Sequence, residues 1–324
     1  MHAIRQYEFG PASTLRYEDV PDPEPAAGQV RIAVTAAGVH LIDTRIRAGE
    51  AAPMPLPDLP MTPGREVAGT VDALGTGVDD SWLGRRVAVH LGAANGGYAE
   101  RAVADVTALH DVPDGVTDAA AVALLGTGRM TRGILHLADL TADDVVLVTS
   151  AAGGIGTLLV QAARRAGATV VGAAGGPTKT RQVRDAGAHA VDYLDPAWPD
   201  AVREALGDRA VSVVLDGVGG TVGRAALDLL GPGGRLLLFG WSSGAPTAFT
   251  HTDLLSRGLS VTVAVGPRVL GLPGGLRQLE DEAFADGAAG RMVPAVTEFP
   301  LADAAGAHAA LERRETTGKV VLVP

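Results

Sequence analysis

The chain has 324 residues, of which 47% are hydrophobic and 20% charged, and its formal net charge is −10. This length allows two domains with separate cores, and the acidic balance argues against a nucleic-acid or anionic-membrane partner, because both attract positive surfaces. The absence of cysteine excludes disulfides, thiolate catalysis and sulfur-bound zinc. No apolar run has the length of a membrane helix and no signal-peptide pattern is present, so we expect a cytoplasmic protein.

The first part of the chain is typical of short strands separated by turns. β-branched or alternating apolar patterns bounded by Gly, Pro or Asp occur in "QVRIAVTAAGV", "REVAGTVDAL", "RRVAVHL" and "GYAERAVAD". These patterns predict a mostly-β domain over residues 1–117.

From about Asp118, helical segments alternate with short apolar strands. The strands are predicted in "DVVLVTS", "ATVVGAA", "HAVDYL", "VSVVLDG", "RLLLFG" and "LSVTVAV". Their near-continuous apolar character is typical of strands buried on both faces of a parallel sheet. We therefore predict an α/β fold with a Rossmann-type doubly wound parallel sheet over residues 118–266. Residues 267–324 end in a strand, a helix and a short strand, which we expect to complete the first domain.

The stretch "TSAAGGIGTLLVQ" joins the first of these strands to a helix, as a dinucleotide-binding turn does. In the G-x-G-x-x-G register the positions are Ala151, Gly153 and Gly156. Gly153 lets the backbone approach a pyrophosphate, Gly156 lets the helix lie close to the strand, and the helix N-terminus supplies N–H donors. The sequence predicts a dinucleotide site formed by Ala152, Gly153, Gly154, Ile155 and Gly156.

The end of the second strand predicts which dinucleotide binds. An NAD site usually carries an acidic residue there, which accepts hydrogen bonds from the ribose 2′-OH, whereas this chain reads "VVGAAGGPTK". The missing carboxylate leaves the N–H groups of Gly175 and Gly176 exposed at the start of a helix, with Lys179 nearby as a positive charge. We therefore predict NADPH as the cofactor.

Taken together, these motifs resemble the zinc-independent quinone oxidoreductase (zeta-crystallin-like) branch of the medium-chain dehydrogenase/reductase superfamily. The resemblance covers nearly the whole chain, through "AAGVHLIDTRIRAG", "TPGREVAGTV", "GGYAERAVA", "AAGGIGTLLVQAARRAGATVVG", "VLDGVGG", "GGRLLLFG" and "TTGKVVLVP". It implies a GroES-like catalytic domain formed by residues 1–117 and 267–324, a Rossmann NADPH-binding domain at 118–266, and a homodimer.

The resemblance also implies further cofactor contacts. Tyr193 matches a tyrosine beside the adenosine phosphate, although a strand-end aromatic residue packing under the loop would look the same. Phe239 and Gly240 match the segment that passes the nicotinamide. Lys319 matches a position that approaches the cofactor, and a plain terminal strand would have the same sequence.

Zinc-bearing relatives take their metal through a Cys and a His, and here those places hold His40 and Arg65. An arginine repels a cation and no thiolate balances the metal charge, so we expect no metal. The residues expected at the catalytic site are His40, Asp43, Arg45 and Arg65. His40 either donates to a substrate carbonyl or fixes the loop, and the two arginines either favour a polar acceptor or pair with Asp43 and Glu66.

Without a metal, the substrate must be an electrophile that accepts a hydride directly, such as a quinone or a conjugated carbonyl. The first hypothesis is an NADPH-dependent quinone oxidoreductase. The second is an NADPH-dependent reductase of C=C bonds in enones, enals or enoyl thioesters. A hypothesis of another class is a non-catalytic NADPH-binding sensor.

Overall fold

A computed structural model describes residues 1–50 and 55–324 of the chain. Fifteen strands occur in this part: β1 His2–Gln6, β2 Leu15–Asp19, β3 Gln29–Val39, β4 Glu66–Leu74, β5 Arg86–His90, β6 Arg101–Asp105, β7 His110–Asp111, β8 Val145–Thr149, β9 Thr169–Ala174, β10 His189–Asp192, β11 Val211–Asp216, β12 Leu230–Leu238, β13 Ser260–Val263, β14 Val296–Pro300 and β15 Lys319–Val323.

The α-helices in the same part are α1 Leu41–Ala48, α2 Asp118–Ala123, α3 Arg129–Ala138, α4 Gly154–Arg165, α5 Pro177–Asp185, α6 Trp198–Leu206, α7 Gly220–Asp228, α8 His251–Arg257, α9 Pro267–Leu270, α10 Gly275–Ala288 and α11 Ala304–Glu312. A π-helical turn over Leu124–Gly128 joins α2 to α3.

The chain forms two compact units. Unit 1 comprises Met1–Thr127, Phe284–Gly290 and Pro294–Pro324, and unit 2 comprises Gly128–Ala283 and Arg291–Val293. The predicted boundaries at 117/118 and 266/267 fall inside these units. Helix α2 packs on β3 and β4 of unit 1, whereas Val269 of α9 and Leu279 of α10 pack against Gly133 of α3 in unit 2.

Unit 1 is built on a seven-stranded sheet in the order β14-β15-β3-β4-β5-β7, with β6 also paired to β3. The long strand β3 lies antiparallel to β15, β4 and β6. Its inward side chains, which include Val30, Ile32 and Val34, join a buried apolar cluster with Val67 and Val71 of β4. The carboxyl-terminal strand β15 therefore completes the sheet that the first strands begin.

Unit 2 is built on a six-stranded parallel sheet in the order β10-β9-β8-β11-β12-β13. This order confirms the predicted doubly wound α/β architecture. Along β8, Val146 and Val148 face one apolar layer while Val145 and Leu147 face the other, which is the alternation of a strand covered on both faces. The strand order reverses between β8 and β11, so the carboxyl ends of these strands border a crevice where such sheets bind ligands.

Candidate active and cofactor sites

The predicted pyrophosphate turn after β8 leaves little room for side chains at two of its glycines. Gly153 is extended and precedes α4, and a Cβ on Gly156 would lie 2.1 Å from the backbone oxygen of Ser150. A Cβ on Gly153 would lie 3.2 Å from the hydroxyl oxygen of Ser150, so a methyl group there would fit after a small shift of that hydroxyl. The structure thus brings Ala152, Gly153, Gly154, Ile155 and Gly156 together on one turn at the start of α4, where the first N–H groups have no partner within the helix.

The end of β9 combines two of the predicted cofactor residues with Tyr193. A Cβ on Gly175 would lie 3.1 Å from the Tyr193 ring, so the aromatic ring packs directly on this glycine. Gly176 has φ of +88° and begins α5, in which Lys179 lies on the first turn. The structure therefore places Gly175, Gly176, Lys179 and Tyr193 in one region of unit 2.

One detail of this region differs from the sequence expectation. The backbone N–H of Gly176 is not exposed, because it donates to Oδ1 of Asp192 at 2.9 Å. Asp192 ends β10, and it is in register with Ala174 at the end of β9. A carboxylate from the neighbouring strand thus lies at the end of β9, which no pattern along β9 itself could reveal.

Phe239 and Gly240 follow β12 and lie against the backbone that follows β11. A Cβ on Gly217 would lie 2.5 Å from the Phe239 ring, and a Cβ on Gly240 would lie 3.0 Å from the Gly217 oxygen. This turn is fixed by Asp216, a buried carboxylate that sequence reasoning missed. The sequence did contain a signal for Asp216, because it is an acidic residue at the end of the apolar strand "VSVVLD".

Asp216 is bound by four neutral donors. Oδ1 accepts from the Thr149 hydroxyl at 2.7 Å and from the backbone N–H groups of Val218 and Gly219 at 3.0 and 3.1 Å. Oδ2 accepts from the Thr247 hydroxyl at 2.5 Å. The carboxylate therefore joins the end of β8, the turn after β11 and the segment after β12.

Unit 1 contains a buried ionic cluster, which consists of His40, Glu66 and Lys319. Oε2 of Glu66 lies 2.7 Å from Nε2 of His40 and 3.0 Å from Nζ of Lys319, and the two nitrogens are 2.8 Å apart. The side chains of Glu66 and Lys319 are 0% and 4% exposed, while that of His40 is 23% exposed. His40 is thus the residue through which the cluster reaches the surface of unit 1.

Burial and neighbouring charges shift the pKa values of Glu66 and Lys319 in opposite directions. Burial alone raises the pKa of Glu66, but the charges of His40 and Lys319 outweigh it and hold that pKa well below its usual range. Burial lowers the pKa of Lys319 below its ordinary value, and the negative charge of Glu66 opposes the change. Lys319 was predicted to approach the cofactor; its ammonium is bound within unit 1, and its cofactor contact stays a prediction.

Asp43 holds the loop that carries His40. Its Oδ2 accepts from the backbone N–H of His40 at 2.8 Å, and its Oδ1 lies 3.1 Å from Nη2 of Arg65. The pairing of Arg65 with Asp43 is one of the two roles expected for that arginine. Arg45 is separate from this group, since its Nε lies 3.9 Å from Glu50, and its predicted catalytic role stays a prediction.

Two buried residues behind Asp43 had no recognisable signal in the sequence. The Tyr98 hydroxyl lies 3.5 Å from Oδ2 of Asp43 and 3.1 Å from Nε2 of His308. Burial, reinforced by the charge of Asp43, raises the pKa of Tyr98 well above its ordinary value. Burial lowers the pKa of His308 to about 4, so this imidazole is neutral near pH 7. These groups extend the polar interior of unit 1 toward α11.

Two kinds of site are absent from the part of the chain that the structure describes. Over residues 1–50 and 55–324, no group of three or more His, Asp or Glu side chains is arranged to hold a metal ion. In the same ranges no helix has both the length and the apolar character needed to cross a bilayer.

Two protein families match the two parts of the chain. Residues 26–114 match the family described as alcohol dehydrogenase GroES-like domain, and residues 154–280 match the family described as zinc-binding dehydrogenase. The first match covers strands of unit 1 and the second covers most of unit 2, in agreement with the expected GroES-like and Rossmann folds.

Individual relatives resemble the chain over its full length. A quinone oxidoreductase of Pseudomonas aeruginosa is 33% identical over 98% of this chain and 97% of its own. A 2-haloacrylate reductase of a Burkholderia species is 32% identical over 100% and 99%. The crystal structure of Escherichia coli quinone oxidoreductase complexed with NADPH has 29% identity and a TM-score of 0.86, with 100% of both chains covered. The chain belongs to the zinc-independent quinone oxidoreductase branch of the medium-chain dehydrogenase/reductase superfamily.

Proposed function

We propose that this protein is an NADPH-dependent quinone oxidoreductase that works without zinc. The observation that carries the proposal is the Gly153–Gly156 turn at the first strand of a doubly wound sheet, because a Cβ on either glycine would be crowded by Ser150. The related Escherichia coli enzyme, which is complexed with NADPH, supports the same cofactor.

The chain offers distinct groups to each part of NADPH. The turn from Ala152 to Gly156 would bind the pyrophosphate through backbone N–H groups. Gly175, Gly176, Lys179 and Tyr193 would hold the adenosine phosphate. Phe239 and Gly240 would line the nicotinamide. When bound, NADPH supplies the hydride that the acceptor takes up.

Unit 1 would supply a proton and hydrogen bonds to the acceptor. A quinone that has accepted one hydride needs one proton to become a neutral hydroquinone. His40 is the exposed member of the buried cluster, and it would deliver this proton. Lys319 would return a proton to Nε2 of His40 over 2.8 Å, a transfer that its lowered pKa favours. Glu66 is ionised while His40 and Lys319 carry their charges, and it balances them.

The test is a screen of NADPH oxidation with 1,4-benzoquinone and 9,10-phenanthrenequinone, run in parallel with NADH and with 2-alkenals. We expect turnover of at least one quinone with NADPH. A His40→Ala variant should lower kcat while leaving the Kd for NADPH within about twofold. If NADPH binds but no quinone is reduced, the proposed activity is wrong, and a sensor is supported only if no 2-alkenal is reduced either.

A second candidate is reduction of an activated C=C bond. The 2-haloacrylate reductase relative favours it, as does Arg65, whose guanidinium lies beside Asp43 near the proposed proton donor. An acrylate carries a carboxylate that an arginine can bind. If 2-chloroacrylate or a 2-alkenal is reduced at a higher kcat/KM than every quinone tested, this candidate replaces the first.

We also propose a cytoplasmic homodimer. Strand β13 ends the six-stranded sheet, and within the described part of the chain no strand pairs with its outer edge. Val263 on β13 and Leu255 on α8 are 55% and 69% exposed, and an apolar sheet edge favours pairing with another copy. A sedimentation experiment should give twice the 32.9 kDa monomer mass, and Val263→Lys should weaken the dimer.

A further inference from the structure

The adenosine end of the cofactor site contains a carboxylate that the sequence of β9 does not show. Oδ1 of Asp192 accepts from the backbone N–H of Gly176 at 2.9 Å and from that of Leu194 at 3.0 Å. It therefore occupies a donor at the start of α5, the helix terminus on which the choice of NADPH rested. Asp192 and Tyr193 are adjacent, and the Tyr193 ring packs on Gly175, so the carboxylate lies at the edge of the proposed phosphate region.

We propose that Asp192 is a specificity-determining residue, which reduces the preference of this protein for NADPH over NADH. The inference rests on the proposed function, because it concerns the same cofactor site. A phosphate monoester carries nearly two negative charges at pH 7, so the Asp192 carboxylate repels the 2′-phosphate and withholds the Gly176 donor from it. The 2′-hydroxyl of NADH is neutral, and a carboxylate can accept a hydrogen bond from it.

Lys179 acts in the opposite direction. It lies on the first turn of α5 and its positive charge favours the phosphate, so the site combines one attractive and one repulsive charge. With both present, we expect NADPH and NADH to bind with affinities that differ by less than about tenfold. Neutralising Asp192 should remove the repulsive charge and keep the attraction of Lys179.

Asp192→Asn tests the charge separately from the hydrogen bonds. The amide oxygen of asparagine can still accept from Gly176 and Leu194, so the turn keeps its backbone contacts. Asp195→Asn is the matched control, because Asp195 lies in the same turn and accepts from the backbone N–H of Ala197 at 2.9 Å. Both variants lose one negative charge, but only Asp192→Asn loses it beside Gly176.

The Kd values of NADPH and NADH should be measured by calorimetry for the wild type and both variants. We expect Asp192→Asn to lower the Kd for NADPH by about tenfold and to leave the Kd for NADH unchanged or raised. Asp195→Asn should keep the ratio of the two Kd values within twofold of wild type. An Asp192→Asn protein with an unchanged ratio would overturn the inference.

Two outcomes separate this inference from the proposed function. A wild-type protein that binds neither dinucleotide contradicts the function itself, whereas NADPH binding with an insensitive Asp192 contradicts only the specificity role. If Asp192→Asn lowers the thermal midpoint strongly, Asp192→Ser provides the second variant, since its hydroxyl also accepts a hydrogen bond. The same shift of the Kd ratio is expected, and an equal change for both dinucleotides would show a purely structural role.

Discussion

The cofactor turn of unit 2 and the ionic cluster of unit 1 differ in how their members are brought together. Ala152 to Gly156 are consecutive, and the turn depends on the absence of a side chain at Gly156, where a Cβ would meet backbone at 2.1 Å. His40, Glu66 and Lys319 come from three separate segments and depend on opposite charges within 3.0 Å. The turn should therefore be sensitive to added volume, and the cluster to lost charge.

The largest effect is expected from removing charge in the cluster. Glu66→Gln leaves the Lys319 ammonium buried without its counter-ion, which should lower the free energy of unfolding by about 3–5 kcal/mol. Urea unfolding monitored by circular dichroism measures this loss. In the control Glu66→Gln/Lys319→Met both charges are absent, and most of the stability should return. A single variant that loses under 1 kcal/mol would contradict the importance of the pair.

The second-largest effect is a pH dependence of stability, which comes from the buried His308. The pKa of His308 is about 4 in the folded protein and 6.5 when unperturbed. Between these pH values the unfolded chain binds the proton more readily, so stability is complete above pH 6.5, falls as the pH is lowered toward 4, and is constant below that for this group. The total loss should be about 3 kcal/mol.

His308→Gln removes this titration while retaining hydrogen-bonding groups for Tyr98. Unfolding by urea at several pH values should give a difference between wild type and variant that varies between pH 6.5 and 4 and is flat on either side. A constant difference over the whole range would show that His308 is not buried in its neutral form.

On the cofactor side, Gly153→Ala adds one methyl group to the pyrophosphate turn. The Cβ would lie 3.2 Å from the Ser150 hydroxyl, which the fold can accommodate, but it would stand where we propose that the backbone approaches the phosphates. We expect the Kd for NADPH to rise by at least about tenfold, with the thermal midpoint within a few degrees of wild type. Gly156→Ala should instead lower the midpoint markedly, because its Cβ collides with backbone. Equal loss of stability in both variants would contradict this division of roles.

The smallest effect is expected at Lys179. Lys179→Ala should raise the KM for NADPH by about five- to tenfold and that for NADH by less than twofold, because only NADPH carries the phosphate. Arg184→Ala, at the other end of α5, is the control and should change neither value. If both KM values rise equally after Lys179→Ala, the lysine does not distinguish the two dinucleotides.

The cofactor turn and the ionic cluster also differ in how much of each could be predicted from sequence. The strands of unit 2 and the Gly153–Gly156 turn are local patterns, so periodicity and glycine spacing were sufficient to predict them. The partner of Gly176 is Asp192, which lies one strand away, and sheet register rather than local sequence brings them together. Likewise, nothing near His40 in the chain points to Lys319, because β15 reaches β3 only after the whole of unit 2 has been built.

The hydrogen bonds of Asp216 have a consequence for motion within unit 2. One carboxylate fixes the amides of Val218 and Gly219 and the hydroxyl groups of Thr149 and Thr247. The turn after β11 cannot move away from this carboxylate without breaking both amide bonds, so the two amides should exchange with solvent in a single cooperative opening rather than independently. The segment of Phe239 and Gly240, which packs against this turn at Gly217, would be held in place for as long as the turn stays closed.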